Sequence, residues 1–286
     1  MGYKIVFILL KLLSRAPFWI LHLISDVFYY LLFYVIKYRK KVIIENIKIA
    51  FPENTIRENH DVARKFVKHF GDFLIESLKT LSIKEEVLRK RYVFLNPEIV
   101  QDFVKQERSP LVLASHYGNW EWMFYYPQIT KVETWAAYTP LSNPIFDRLM
   151  VMNRERYGLK VVPSKQAAAN YVRLKNEGVT YVNCMASDQS PAAHYKNRAE
   201  FLGKNVPFFA GPEAYAKKFN LPVFYSRIRK VARSKYTLEH ILITDDPSNT
   251  EPNWITSEYI RLMEEDIKRA PEFYLWSHRR FKHAMP

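Results

Sequence analysis

The stretch "ASHYGNWEW", residues 114–122, puts an imidazole, a carboxylate and two tryptophans within nine residues, directly after the apolar run "PLVLA". His116 and Glu121 are the groups able to move or hold a proton. Five residues separate them, so on one continuous helix they would lie about 140° apart. They meet only if His116 ends a strand, Gly118 turns the chain and Glu121 enters the first turn of a following helix. A histidine paired with a carboxylate takes a proton from a hydroxyl, while the carboxylate fixes the tautomer and stabilises the imidazolium. The same residues also fit a plainer reading, a histidine closing a strand and a glutamate favouring a helix start. Spacing leaves both open.

Around this stretch, strand-like and helix-like segments alternate. Strands are expected at 110–115, 133–139, 159–164, 179–186, 221–231 and 236–244. Helices are expected from about Asn119, from near Asn143, in "KQAAANYVRLKN" and "PEAYAKKFN", and over 254–270. Residues 42–90 look helical, with Val62, Phe66, Phe70, Phe73, Leu74 and Leu78 at helical spacing. The pattern predicts an α/β fold, a mixed sheet flanked by helices, preceded by an N-terminal anchor helix and a helical segment. We expect an anchor over 1–36 and a single α/β domain over 37–286.

Residues 17–36 hold 16 apolar residues out of 20, interrupted by Pro17, His22, Ser25 and Asp26. That length can cross a bilayer core, but Asp26 would be costly at its centre. Lys4, Lys11 and Arg15 lie upstream, and Lys37, Arg39, Lys40 and Lys41 follow at once. A spanning helix would leave this basic flank and the domain in the cytoplasm. An interfacial helix would anchor the domain without crossing. A cleaved signal is disfavoured, because the apolar region is long and no small-residue cleavage site follows.

The net charge is +14, and residues 1–36 carry only three cations against one anion, leaving +12 on the rest. Such a surface suits anionic lipid headgroups or an acidic partner. No nucleic-acid-binding motif accompanies the charge. Glycine numbers only 7, which argues against a glycine-looped dinucleotide binder. The one cysteine, Cys184, allows no internal disulfide and cannot build a zinc site alone; it reads as a core thiol.

"SHYGNWE" resembles the signature of the late lipid A acyltransferases, the lauroyl/myristoyl transferase family, within the wider group sharing a His-x4-Asp/Glu dyad. Further segments are similar in order: "NIKIAFPENT", "YTPLSNP" leading into "DRLMVMNRER", "SDQS", "EFLGKNVPFFAGP" and "PEFYLWSHRRFKHAMP". The resemblance covers nearly the whole chain. It implies acyl transfer from a thioester on acyl carrier protein, or on coenzyme A, to a hydroxyl of a membrane glycolipid, lipid A or its precursor. It implies an enzyme at the cytoplasmic face of the inner membrane, with the acyl thioester as co-substrate and no metal or further cofactor. On this reading His116 is the general base and Glu121 orients it. Arg154, then Arg156, would stabilise the oxyanion or a phosphate, and Asp188 and Gln189 would position headgroup or donor. Asn119 would shape the turn or contact substrate, and the "HRRFK" end would bind phosphate or carrier, or simply be a solvated basic end. Two departures, Thr139 in "YTPLSNP" and the aromatic-rich "NVPFFAG", concern the acceptor more than the reaction. An aminolipid or a glycosylated phospholipid is therefore the alternative acceptor. A non-catalytic basic membrane-surface protein is the alternative of another class.

Overall fold

The computed structural model describes residues 2–285, with side chains from residue 7 onward except that of residue 146; the Lys4 side chain lies outside the described residues. The chain opens with α1 (Gly2–Ser14) and α2 (Phe18–Tyr30), the latter continued by a π-helical turn over Leu31–Val35. Then come α3 (Lys40–Ala50), the long α4 (Ile56–Lys79) and α5 (Glu85–Arg91). The α4 start is sharp because Thr55 and Glu58 form a reciprocal cap. The Glu58 N–H donates to the Thr55 hydroxyl, and the Thr55 N–H donates to the Glu58 carboxylate.

From there strands and helices alternate. They are β1 (Tyr92–Phe94), α6 (Glu98–Lys105), β2 (Leu111–Ala114), a 3-10 turn (Trp122–Tyr125), α7 (Tyr126–Thr130) and β3 (Thr134–Tyr138). Next are α8 (Pro144–Glu155), β4 (Leu159–Pro163), α9 (Ala167–Asn176), β5 (Val182–Ala186), β6 (Arg198–Phe201) and β7 (Lys204–Pro207). The chain closes with α10 (Gly211–Phe219), β8 (Val223–Ala232), β9 (Lys235–Thr244) and α11 (Trp254–Arg269).

Seven strands form one mixed sheet in the order β1-β9-β8-β2-β5-β3-β4; only β8 and β9 pair antiparallel. The central strand β2 reads "LVLA" and is buried along its whole length, as expected of a parallel strand covered on both faces. β6 and β7 form a separate hairpin.

All six strands expected from the sequence are present, within a few residues of their expected ends. Three elements were not anticipated: β1, α6 and the β6–β7 hairpin. β1 is only three residues long, too short for a period-two pattern to register. The helix expected from Asn119 starts at Trp122 instead, as a 3-10 turn. The Asn119 side chain accepts the Trp122 N–H at 3.0 Å, so residues 119–121 form a capping turn.

Helix α2 and its π-helical extension make one stretch, Phe18–Val35, apolar and long enough to cross a membrane. His22, Ser25 and Asp26 turn toward α4 and the β8–β9 turn. His22 meets the Ser234 hydroxyl at 2.7 Å, Ser25 donates to Asp72 at 2.8 Å, and Asp26 pairs with Arg233 at 2.8 Å. Trp19, Leu23, Val27, Tyr30 and Tyr34 face outward.

Candidate active site

The sheet register places the site. Ala114, the last residue of β2, pairs with Ala186, the last residue of the adjacent β5. His116 and Asp188 each follow two residues later, so the two side chains leave neighbouring strands at the same level. The intervening order of β2, β5 and β3 is the kind of crossover beside which open α/β sheets hold ligands, at the carboxyl ends of their strands.

His116 Nδ1 donates to Asp188 Oδ1 at 2.7 Å, and the His116 backbone N–H donates to Asp188 Oδ2 at 3.0 Å. Both carboxylate oxygens are thus bound to one residue, which fixes the ring. Burial works against charge on His116, but the adjacent Asp188 carboxylate and its hydrogen bond outweigh this, with help from Glu121, so the imidazole pKa is raised. Burial likewise opposes ionisation of Asp188, and the His116 charge and hydrogen bonds win, so its pKa is lowered. With Nδ1–H committed to Asp188, the bare Nε2 faces the cavity and accepts from the Gln189 amide at 3.3 Å.

Glu121 does not hydrogen-bond His116. Its carboxylate is held bidentately by Arg154 on α8, at 2.7 and 3.2 Å, and both side chains are largely buried. The expected His116–Glu121 contact is therefore replaced by two pairs, His116–Asp188 and Glu121–Arg154. The physical reason is the capping turn: residues 119–121 curl away under Asn119, whereas Asp188 arrives level with His116 from the neighbouring strand. Sequence reasoning had Asp188 among the candidates, but its partnership with His116 depends on strand order, which no local spacing encodes.

The other candidates separate. Arg154 lines the cavity in front of His116 and sits 4.5 Å over the Phe124 ring. Arg156 faces away and donates to the Thr80 and Ile83 carbonyls, where it closes the carboxyl end of α4. Asn119 is fully buried and donates to Glu76 at 2.6 Å. The C-terminal basic stretch is in part interior. Arg280 is 1% exposed, donates to the Pro207 carbonyl and lies 4.1 Å over the Phe208 ring. Asn46, from "NIKIAFPENT", donates to the Trp276 and His278 carbonyls and so ties the two chain ends together.

Gly118 makes the turn with φ +61°, and an added Cβ there would lie 2.8 Å from Ile228 Cγ2. Its N–H donates to the Phe273 carbonyl, and the His116 carbonyl accepts from Leu275 N–H, so the C-terminal segment braces the turn. The tryptophans now have places. Trp120 presents its ring against His116 at 5.1 Å and packs on Phe73 at 4.0 Å. Trp122 is buried and donates to the Glu76 carbonyl and the Thr80 hydroxyl at 3.2 Å.

The cavity before His116 has a volume near 410 Å³ and is lined by Met123, Phe124, Met150, Met185 and Phe209 together with Arg154 and Gln189. A second cavity of about 440 Å³ shares Ala137, Met185 and Phe209 with it and runs on past Ala167, Ala168 and Ala214 toward Phe219. Cys184 lies in the first cavity's wall, and burial pushes its thiol up to about 12, which keeps it unreactive.

A histidine bonded to a buried carboxylate at the strand ends of a mixed sheet, in the wall of a hollow lined by methionine and phenylalanine, defines a class: α/β proteins with a histidine–carboxylate pair beside an apolar pocket. The whole-chain comparison is narrower. Residues 1–283 match the family model of bacterial lipid A biosynthesis acyltransferases, and the chain belongs to that family. It is 21% identical over 250 residues to the lipid A biosynthesis palmitoleoyltransferase of Escherichia coli (strain K12), and 23% over 261 residues to the lauroyltransferase of the same organism. In each case 86% of this chain and 80% of the relative are covered.

Proposed function

We propose that the protein transfers a fatty acyl group from an acyl thioester to a hydroxyl of lipid A or its precursor, with His116 as general base. The observation that carries the base assignment is the Asp188–His116 pair, which leaves Nε2 on the cavity side with the Gln189 amide against it. The acceptor hydroxyl takes the Gln189 position and gives its proton to Nε2 as its oxygen attacks the thioester carbonyl. Asp188 stays ionised and stabilises the imidazolium. The carbonyl becomes a tetrahedral oxyanion, and Arg154, held by Glu121, supplies positive charge beside it. Collapse breaks the carbon–sulfur bond, and the departing thiolate takes the proton from His116. Acyl transfer forms one ester and frees one thiol.

The apolar pair of cavities suits the acyl chain. The donor is an acyl thioester on an anionic carrier, acyl carrier protein first and coenzyme A second, which the +14 net charge attracts. The acceptor is membrane-bound, and α2 supports an interfacial seat: its polar side is spent on the domain and its outer side is apolar. Lys11, Arg15 and Arg156 line a groove under α1 with no carboxylate among its lining residues, suited to anionic headgroups. On this reading the enzyme works at the inner membrane from the cytoplasmic side.

The test is His116→Ala assayed in membranes with a lauroyl thioester of acyl carrier protein and a lipid A precursor. General-base loss predicts a fall of about 10²–10⁴-fold in turnover while the protein remains folded. Undiminished transfer refutes the base. Mass spectrometry of membrane lipids with and without the protein tests the acceptor, and an unchanged lipid A with an altered aminolipid would replace it.

A further inference from the structure

Behind the site, helix α4 carries a row of buried polar side chains that the reaction above does not use. His69 and Glu76 are seven residues apart, two helical turns, and so share one face. That face packs under the catalytic turn. The Lys230 ammonium donates to His69 Nδ1 at 3.3 Å, which leaves Nε2–H to donate to the Gly118 carbonyl at 3.3 Å. Glu76, 1% exposed, accepts through one oxygen from Asn119 Nδ2 at 2.6 Å and from the Tyr236 hydroxyl at 2.9 Å. Its other oxygen is buried and makes no hydrogen bond of ordinary geometry, with the Ser234 hydroxyl the nearby group that favours the ionised form. Asn119 in turn accepts the Trp122 N–H, the first residue of the 3-10 turn that directly follows Glu121.

A carboxyl buried this fully is an expensive way to fill space, since burial penalises its charge and an apolar side chain of similar size would pack more cheaply. What it does here is specific. It fixes the Asn119 amide, and the Asn119 carbonyl oxygen fixes where the chain enters the 3-10 turn. Glu121 stands between those two points, and Glu121 holds Arg154.

We propose that Glu76 is a positioning residue for acyl transfer: acting through Asn119, it sets the Glu121–Arg154 pair against His116. It touches no substrate, and neither cavity beside His116 is lined by it. The inference rests on the proposed reaction, so wild type and His116→Ala are run beside the variants.

The experiment uses the full-length protein in detergent or membranes, with a lauroyl thioester donor, and reads kcat, KM and melting temperature separately. Glu76→Ala lowers kcat on the order of 10²-fold, the cost of a reacting group misplaced by about 1 Å, with KM for the donor unchanged. Glu76→Gln keeps an acceptor oxygen for Asn119 and Tyr236 and recovers most of the lost kcat. Asn119→Ala reproduces Glu76→Ala, and the double variant is no worse than either single one, as expected when two residues act through one link. A folded Glu76→Ala protein with wild-type kcat and only a lowered melting temperature overturns the proposal, as does Glu76→Gln that is no better than Glu76→Ala. Should Glu76→Ala fail to fold, Asn119→Ala decides by the same split. An inactive wild type, or an active His116→Ala, would instead sink the reaction assigned to the site.

Discussion

At the residue scale the site turns on which carboxylate serves the histidine. Asp188 raises the His116 pKa above its ordinary 6.5. If His116 is the proposed base its working form is the neutral imidazole, so kcat/KM should rise with pH and level off above a midpoint higher than 6.5. Asp188→Asn removes the charge that favours the imidazolium, so that midpoint should fall. The plateau should fall too, by about 10⁴-fold if the tautomer is lost as in a serine-protease triad. A pH–rate profile of both proteins checks the sign. A midpoint unchanged by the substitution would mean that another group titrates. Sequence reading reached His116 and Glu121 from residue type and spacing, and Arg154 and Asp188 through the resemblance of "DRLMVMNRER" and "SDQS" to the family's segments. It paired His116 with Glu121 because they are near in sequence. The pairing with Asp188 is a property of β2 and β5 lying side by side, and β3 and β4 come between those strands in the chain.

At the element scale, strand ends and one turn do the positioning. The turn depends on Gly118, whose φ of +61° is unfavourable for other residues and whose missing Cβ makes room for Ile228. Gly118→Ala should lower stability by about 1–3 kcal/mol, read as a lowered midpoint in urea unfolding, and should lower turnover more than it changes KM. The second cavity makes a separate prediction. Its lining includes small residues that the first cavity lacks, Ala167, Ala168 and Ala214 among them. If the acyl chain runs there, Ala168→Phe should shift the product toward shorter chains when a mixture of thioesters is offered. Mass spectrometry of the products reads this directly; an unchanged chain-length distribution places the acyl chain elsewhere. The alternation of strands and helices was legible because parallel strands buried on both faces make continuous apolar runs. The buried row on α4 was not. His69, Asp72 and Glu76 look like the polar face of an amphipathic helix, and only the position of Arg233, Lys230 and Tyr236 on β8, β9 and the turn between them turns that face inward.

At the scale of the whole molecule, α2 is tied to the rest of the chain through charge. Asp26 on α2 pairs with Arg233, which also pairs with Asp72 on α4 at 2.7 Å, and Ser25 donates to the same carboxylate. Asp26 and Ser25 had stood out in the sequence as the obstacle to a spanning helix. Their partners lie at the β8–β9 turn and on α4, so α2 cannot run through a bilayer without drawing that turn into the hydrocarbon, where unsolvated charge is costly. An α2 lying along the surface avoids this. In that arrangement the outward Trp19, Leu23, Val27 and Tyr30 enter the headgroup and acyl boundary, and Lys11 of α1 stays at headgroup level. The two geometries differ in one measurable respect. A cysteine placed near the start of α1 (Gly2→Cys) and one placed after α2 (Lys37→Cys) lie on the same side if α2 is interfacial and on opposite sides if it spans. In intact Escherichia coli cells, a membrane-impermeant maleimide that passes the outer membrane should label neither; after permeabilisation of the inner membrane it should label both. The natural Cys184 is buried and gives a low background. Labelling of Gly2→Cys in intact cells would show that the helix spans, and the salt links from α2 to Arg233 and Asp72 would then have to break when the protein enters the membrane.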